Sequence, residues 1–249
     1  MNNLKTQTRN RLLHISTATL TTALFKRGFK NVFLQGLKPV SQAKGNMVGE
    51  AFTLRYIPAR EDLDGLSAFD DRSHPQRVAI EECPAGHVLV MDSRGDATAA
   101  SSGNILITRL FKRGVAGVVT DGGFRDSPEI AGMDIHAYHL RPSAPTNLIK
   151  HHAVDLQLPI ACGGVAVYPG DVIVGDSEGV VCIPASIADE VATEAYEQTI
   201  YEDWVSLKIS GGSGLFGVYP LTDEVQRTEF SEWKHNNAAL YPLHAQVMA

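Results

Sequence analysis

Cysteine is scarce in this chain: Cys83, Cys162 and Cys182 are odd in number and widely spaced. That excludes a disulfide framework and leaves no Cys-x-x-Cys pair for a zinc site. All three read as reduced core residues rather than nucleophiles. Long apolar runs are missing too, and none approaches the ~20 residues of a membrane span. The opening residues, MNNLKTQTRNRLL, lack the hydrophobic segment of a secretory signal, so a cytoplasmic protein is expected, with no membrane partner. Basic excess is absent. With 22 Lys+Arg against 28 Asp+Glu the formal charge is −6, and no basic run offers a nucleic-acid footprint. The 9 histidines contain no His-x-x-x-His pair. No internal repeat and no linker marks a domain boundary.

What is present is ample apolar material. Of 249 residues, 44% are hydrophobic and 20% charged, enough to bury a core without disorder. The informative stretch is Asp96 to Glu129, GDATAASSGNILITRLFKRGVAGVVTDGGFRDSPE with its leading Gly95. Ser101 or Ser102 is expected to cap a helix. Ile105, Leu106, Ile107, Leu110 and Phe111 give an apolar stripe at helical spacing, and Gly114 ends it. Val115 to Thr120 is a β-branched run, a buried strand. A helix of about 11 residues climbs ~16 Å. A strand of about six residues returns ~20 Å. The chain therefore arrives back at the start of the helix where it reads Asp121-Gly122-Gly123-Phe124-Arg125-Asp126. His87 to Asp92 is expected to lie parallel to the returning strand through a right-handed crossover. The free amides of Gly103, Asn104, Ile105 and Leu106 then face Arg125 and Asp126, an anion site with one guanidinium and one metal-competent carboxylate. The bland alternative for Arg125 and Asp126 is a surface ion pair at a turn.

Along the rest of the chain, residues 1–12 are polar and expected to be frayed. Ser16 opens a helix to about Arg27. Met47 to Tyr56 alternates as a strand. Pro58 to Pro75 is a charged loop or lid, Arg77 to Cys83 a short helix, and Met133 to Tyr138 another strand. Arg141 to His152 is expected to hold little regular structure. Pro159 to Pro184 is all β, broken by Pro-Gly-Asp and Gly-Asp-Ser-Glu-Gly turns. Ala185 to Lys208 is a long acidic helix stopped at Gly211-Gly212. The final segment, with Trp233, is expected to pack on the domain or on a neighbouring subunit. His151 and His152 are expected to face solvent, and His139 and Arg141 to lie at the surface. Asp171 and Asp176 read as turn carboxylates bound to their own backbone, and Asp96 and Asp121 as turn residues near the crevice. For Glu129, capping of a following helix and support of the metal site are equally open. No Lys is expected at the crevice, which favours metal over imine chemistry.

The Gly103-Asn104-Ile105-Leu106 segment, the Arg125-Asp126-x-x-Glu129 segment, Cys-Gly-Gly-Val at 162–165 and Pro-Gly-Asp…Gly-Asp-x-x-Gly-Val-Val at 169–181 together resemble the RraA-like family, over roughly residues 13 to 213. That family includes class II pyruvate aldolases acting on 4-hydroxy-4-methyl-2-oxoglutarate. The resemblance implies an α/β fold, a single αββα-type sandwich of the swivelling-domain type with a parallel βαβ core and a C-terminal helix. Residues 1–12 would be a flexible N-terminus, 13–213 the domain, and 214–249 a C-terminal extension. It implies homotrimers or dimers of trimers (homohexamers), with active sites between subunits. It implies a divalent metal, Mg²⁺ or Mn²⁺, on Asp126, an acid from the next subunit matched loosely by Glu202, Arg125 on the pyruvyl group, and the amides of Asn104 to Leu106 on its carboxylate. Asp121 and Glu129 would stand behind these groups.

The function implied is a metal-dependent carbon–carbon lyase on a small-molecule 2-oxo acid, aldolase or oxaloacetate-type decarboxylase, through a pyruvate enolate. One departure bears on the choice. The family places Glu or Asp where this chain has Asn104, and an amide does not take a proton as a carboxylate does. The family also holds non-catalytic regulators that bind a ribonuclease, and the same metal site would serve a hydratase or tautomerase. Those readings stay open here.

Overall fold

The computed structural model describes residues 4–244. In chain order the helices are α1 (Thr6–Leu12), α2 (Thr17–Lys26), α3 (Pro75–Glu82), α4 (Asn104–Lys112), α5 (Ser127–Ala131), α6 (Ala188–Ser210) and α7 (Glu224–Asn236). The strands are β1 (Phe33–Leu34), β2 (Lys38–Pro39), β3 (Met47–Pro58), β4 (Val88–Asp92), β5 (Ala100–Ser102), β6 (Gly117–Thr120), β7 (Gly123–Phe124), β8 (His136–His139), β9 (Arg141–Pro142), β10 (His151–Leu156), β11 (Ile160–Cys162), β12 (Val165–Val167), β13 (Val172–Gly175) and β14 (Val180–Ile183).

The main sheet runs β1-β14-β13-β3-β4-β6-β8-β2, with β10 also on β3. Strand β3 is its spine. On one edge Met47–Glu50 pair antiparallel with β13 and Leu54–Pro58 with β10. On the other edge Ala51–Arg55 pair parallel with β4. Strands β4, β6 and β8 continue in parallel, as the spacing of 87–92 and 115–120 requires. The sheet folds over on itself, and the period-two alternation of its strands records the layers. Val88 and Val90 pack inward with Ile173, Val180 and Cys182 from the β13–β14 half, while Leu89 and Met91 pack outward against Ile80, Ile107 and Leu110 of α3 and α4. Val172, Val174, Val181 and Ile183 turn the other way, onto Leu20, Leu24, Val191 and Ile200 of α2 and α6. The order is helices, sheet, sheet, helices: the expected αββα sandwich.

Ser16 caps α2, accepting from the amide of Thr19 at 3.0 Å. Residues 6–12, expected to be frayed, instead form α1. Its Leu12 is fully buried, and Thr8 and Lys5 bond Asp189 at the start of α6. Two histidine expectations also change. His151 is fully buried, with its ring bonded to the Ala99 carbonyl, and His139 is 6% exposed. The 141–152 segment holds more order than expected, since β9 and the start of β10 lie in it. The three cysteines are free and buried, and burial pushes the Cys83 thiol up to about 12. Helix α7 lays Phe230 and Trp233 on α6. No helix among the described residues is long and apolar enough to cross a membrane.

Candidate active site at the start of α4

The site is set by a small parallel sheet. Strand β5 leads into α4, β7 leads into α5, and the two pair in parallel, Ala100 opposite Gly123 and Ser102 opposite Phe124. The amide of Arg125 donates to the Ser102 carbonyl at 3.1 Å, which extends the pairing by one residue. The two chains then diverge at Gly103 and Asp126, so Arg125 and Asp126 lie against the first turn of α4. The closeness is measurable at Gly103: a Cβ there would sit 2.6 Å from Arg125 Cγ and 3.0 Å from Asp126 Oδ2. Any side chain at this position would force Arg125 to shift.

Gly103 is also the N-cap of α4, with no side-chain cap. Neither serine takes the expected capping role. Ser101 is buried in a hydroxyl cluster with Ser93 (2.7 Å) and Thr120 (2.8 Å), and Ser102 ends β5 with its hydroxyl unpartnered among the described residues. The cap instead comes from across the crossover: the Asn104 amide points at Asp126 Oδ2 over 3.4 Å. Arg125 Nε lies 3.5 Å from the same oxygen. Both contacts are long and fall on Oδ2, which leaves Oδ1 for another partner. The side chains are 46% and 35% exposed, so the pair is open to water rather than sealed. Asp126 holds a left-handed backbone, φ 57° and ψ 37°, an uncommon conformation that Asp tolerates better than most residues.

These groups line a cavity of about 310 Å³, which Ile105 and Leu106 also border. Ile105 is 78% exposed at this rim, so the buried stripe of α4 is narrower than its sequence suggests and rests on Ile107 and Leu110. The rest of the lining is what the sequence does not announce: Phe69, Gln76, Arg77, Ser102 and Asn147 contribute to it. Phe69 comes from the 58–75 loop, which is pinned rather than loose. Asp64 takes the His152 ring at 2.7 Å and the Arg60 amide at 2.7 Å, and the Arg77 guanidinium lies 4.1 Å from the centre of the Phe69 ring. No lysine among the described residues lines the cavity.

The remaining expected residues lie apart. Asp121 is buried under the neighbouring loops, where its carboxylate accepts from the amides of Ser93 (2.6 Å), Gly95 (3.0 Å) and Gly163 (3.4 Å). Burial raises its pKa, against those bonds. It is a structural anchor that does not reach the cavity. Glu129 is exposed in the first turn of α5 and does not line the cavity either. Glu202 sits on α6, in the opposite helical layer, and accepts from the Thr19 hydroxyl at 2.8 Å and Gln198 Nε2 at 2.9 Å. Within one chain it does not meet Asp126. Asp171 and Asp176 bind turn backbone as expected, and Asp176 also holds Thr17 at the start of α2. His139 matters indirectly. Its Nδ1 accepts from the Phe124 amide at 3.3 Å, and burial lowers its pKa to about 4, so the neutral ring steadies β7.

Two strings match other motifs by letter only. Gly175-Asp176-Ser177-Glu178-Gly179 reads Gly-x-Ser-x-Gly, but it turns strand into strand, not strand into helix. Gly212 to Gly217 reads Gly-x-Gly-x-x-Gly, but it follows a helix rather than a strand.

Comparison with known proteins now decides the family. Residues 17–182 match the model of the RraA-like family, described as Aldolase/RraA. The chain belongs to the RraA-like family. Among its relatives, protein DlpA of Legionella pneumophila is 26% identical over 204 residues, 82% of this chain and 32% of that protein. A protein named 4-hydroxy-4-methyl-2-oxoglutarate aldolase from Thermus thermophilus is 31% identical over 119 residues, 48% of this chain and 71% of its own. The chain spans about a third of DlpA's length, and 55% of a further relative's, from Halalkalibacterium halodurans. Among solved structures, Streptomyces coelicolor RraAS2 aligns with TM-score 0.71 and 26% identity, over 82% of this chain and 98% of that one. It is titled an unusual member of the RNase ES inhibitor RraA family. A Pseudomonas syringae protein shares the fold at TM-score 0.75 and 24% identity, over 88% of this chain and 100% of its own.

Proposed function

We propose that this RraA-like protein is a divalent-metal-dependent lyase that breaks a carbon–carbon bond of a small 2-oxo acid. One observation carries the proposal: Arg125, Asp126 and the first amides of α4 converge on the edge of one cavity. The aldolase name borne by a relative supports it.

The donor set fits a loosely held hard cation. Among the described residues Asp126 is the one carboxylate lining the cavity, it is partly exposed, and Mg²⁺ or Mn²⁺ would complete its coordination with water and substrate oxygens. Among the described residues no group of three metal-binding side chains forms a closed cage. When bound, such a cation would supply positive charge to the oxygen on which charge develops as the bond breaks. Arg125 adds a fixed planar fork suited to a carboxylate or 2-oxo oxygen, and the amides at the start of α4 favour the acid head. Asn104 replaces the acid that the family places there, so no second carboxylate stands ready to take a proton. Loss of carbon dioxide from a 2-oxo diacid needs no such acceptor. Aldol cleavage needs one, and water or a group from a neighbouring copy must supply it. A trimer or dimer of trimers that brings Glu202 of a neighbouring copy to the site would do so.

The test is pyruvate release from oxaloacetate with Mg²⁺ or Mn²⁺. Activity is expected with metal, and Asp126→Ala should reduce it by a factor of about 10³. Full activity in excess chelator, or in Asp126→Ala, would count against the proposal. The likeness to RraAS2 favours a second reading, a regulator that docks on a ribonuclease. Capture of a ribonuclease, with every 2-oxo acid assay silent, would favour that reading instead.

A further inference from the structure

Glu50, on the spine of the main sheet, is a carboxylate held largely out of water without a partner. It is 7% exposed, and among the described residues no hydrogen bond or ion pair reaches it. The alternation of β3 explains the position. Val48 faces the core under α2 and α6, Phe52 faces the core under α3 and α4, and Glu50 lies between them on the same face. It therefore stands at the seam of the two helical layers, opposite Val172 of β13. There it lines a second cavity, of about 350 Å³, beside Lys5 and Asp189. Its oxygens are not sealed, unlike Gln76 Oε1 and both amide atoms of Asn147, which are buried and unpaired among the described residues. An ionised carboxylate kept from bulk water needs a countercharge.

The nearby cations are already engaged. Lys5 Nζ donates to Asp189 Oδ2, and the other oxygen of that carboxylate accepts from the Thr8 hydroxyl. The Arg9 guanidinium donates to the carbonyls of Val48 and Gly86. A partner from outside the chain must therefore bring positive charge. An anion is repelled, and a neutral hydroxyl leaves the charge unbalanced. A divalent ion wants about six oxygen ligands. Among the described residues no three metal-binding side chains come together, and the Lys5 ammonium borders the same cavity. An ammonium ion needs less. Its N–H groups bond the Glu50 oxygens directly, and an alkyl body rests on Leu4, Val172 and Ala188, which also line the cavity.

We propose that Glu50 anchors a binding site for a small primary ammonium ion with a short alkyl body. The site shares no lining residue with the α4 cavity, so it stands or falls apart from the lyase reading. The test is calorimetric titration of the full chain with n-butylammonium, n-butanol and Mg²⁺ at matched ionic strength. Butylammonium should bind about tenfold tighter than butanol, and Glu50→Gln should remove the difference. The same cation should raise the melting temperature of the wild-type chain and not of the variant. The amide matches the acid in size. If that variant does not fold, a crystal of the wild-type chain soaked in 4-bromobutylammonium decides, with bromine expected against Leu4 and Val172. Bromine elsewhere, or equal binding of amine and alcohol, overturns the proposal. So does butylammonium binding that Glu50→Gln leaves unchanged. Mg²⁺ binding that Glu50→Gln abolishes, with no uptake of the amine, overturns it too and makes the cavity a metal site.

Discussion

The lining of the α4 cavity combines two kinds of residue. On the one hand, Arg125 and Asp126 are charged and 46% and 35% exposed, 3.5 Å apart, with the Asn104 amide 3.4 Å from the same Asp126 oxygen. On the other, Gln76, Ser102 and Asn147 are neutral and almost wholly buried. The open, charged part would suit exchange of an ion and an acid head through water. The neutral part is dry, and a polar atom buried there without a partner is not compensated by solvent.

Substitutions at and behind the charged part test its share in this division. The largest effect among these is expected for Arg125→Ala. Loss of a preorganised donor at a developing charge costs about 10²–10³ in turnover. Steady-state kinetics on oxaloacetate should show kcat/KM falling by that factor, with the melting temperature nearly unchanged because the side chain is half exposed. A smaller effect is expected for Gly103→Ala. Its methyl group would fall 2.6 Å from Arg125 Cγ and push the guanidinium aside. A tenfold loss in kcat/KM is expected from that misplacement, about 1.4 kcal/mol. A loss as large as that of Arg125→Ala would mean that the start of α4 itself has moved. The smallest effect is with acid. His139 has an ordinary pKa of 6.5 that burial lowers to about 4. The unfolded chain therefore binds the proton first, and stability should fall as pH drops from about 6.5 toward about 4. Protonation also removes the acceptor for the Phe124 amide, next to Arg125. Thermal melts across that range should flatten in His139→Gln, and no change in slope would remove His139 from the account.

What can be read in advance divides along the same line. The charged part is legible because chain length alone forces it: helix, turn and strand between 104 and 120 return Arg125 to Gly103 whatever the rest of the chain does. The layers are legible from alternation in 88–91, 172–174 and 180–183, where neighbouring residues face different cores. The neutral part is not. Gln76 and Asn147 are far apart in the chain, and nothing local marks either as buried. Helix α1 escapes the sequence for a similar reason. Seven polar-rich residues do not hold a helix alone, and Thr8, Arg9 and Arg11 find their partners on α6 and the β3 edge. His139 and His151 mislead because polarity is taken for exposure, while each ring has a backbone group to bond inside.

Strand β3 carries one last implication. Its first residues are stitched into the half that carries α2 and α6, and the remainder into the half that bears the cavity. Neither half owns a complete set of backbone partners, so no fragment of the chain is self-sufficient. Melting should therefore run as a single cooperative event, and a proteolytic nick within β3 would dismantle both halves together.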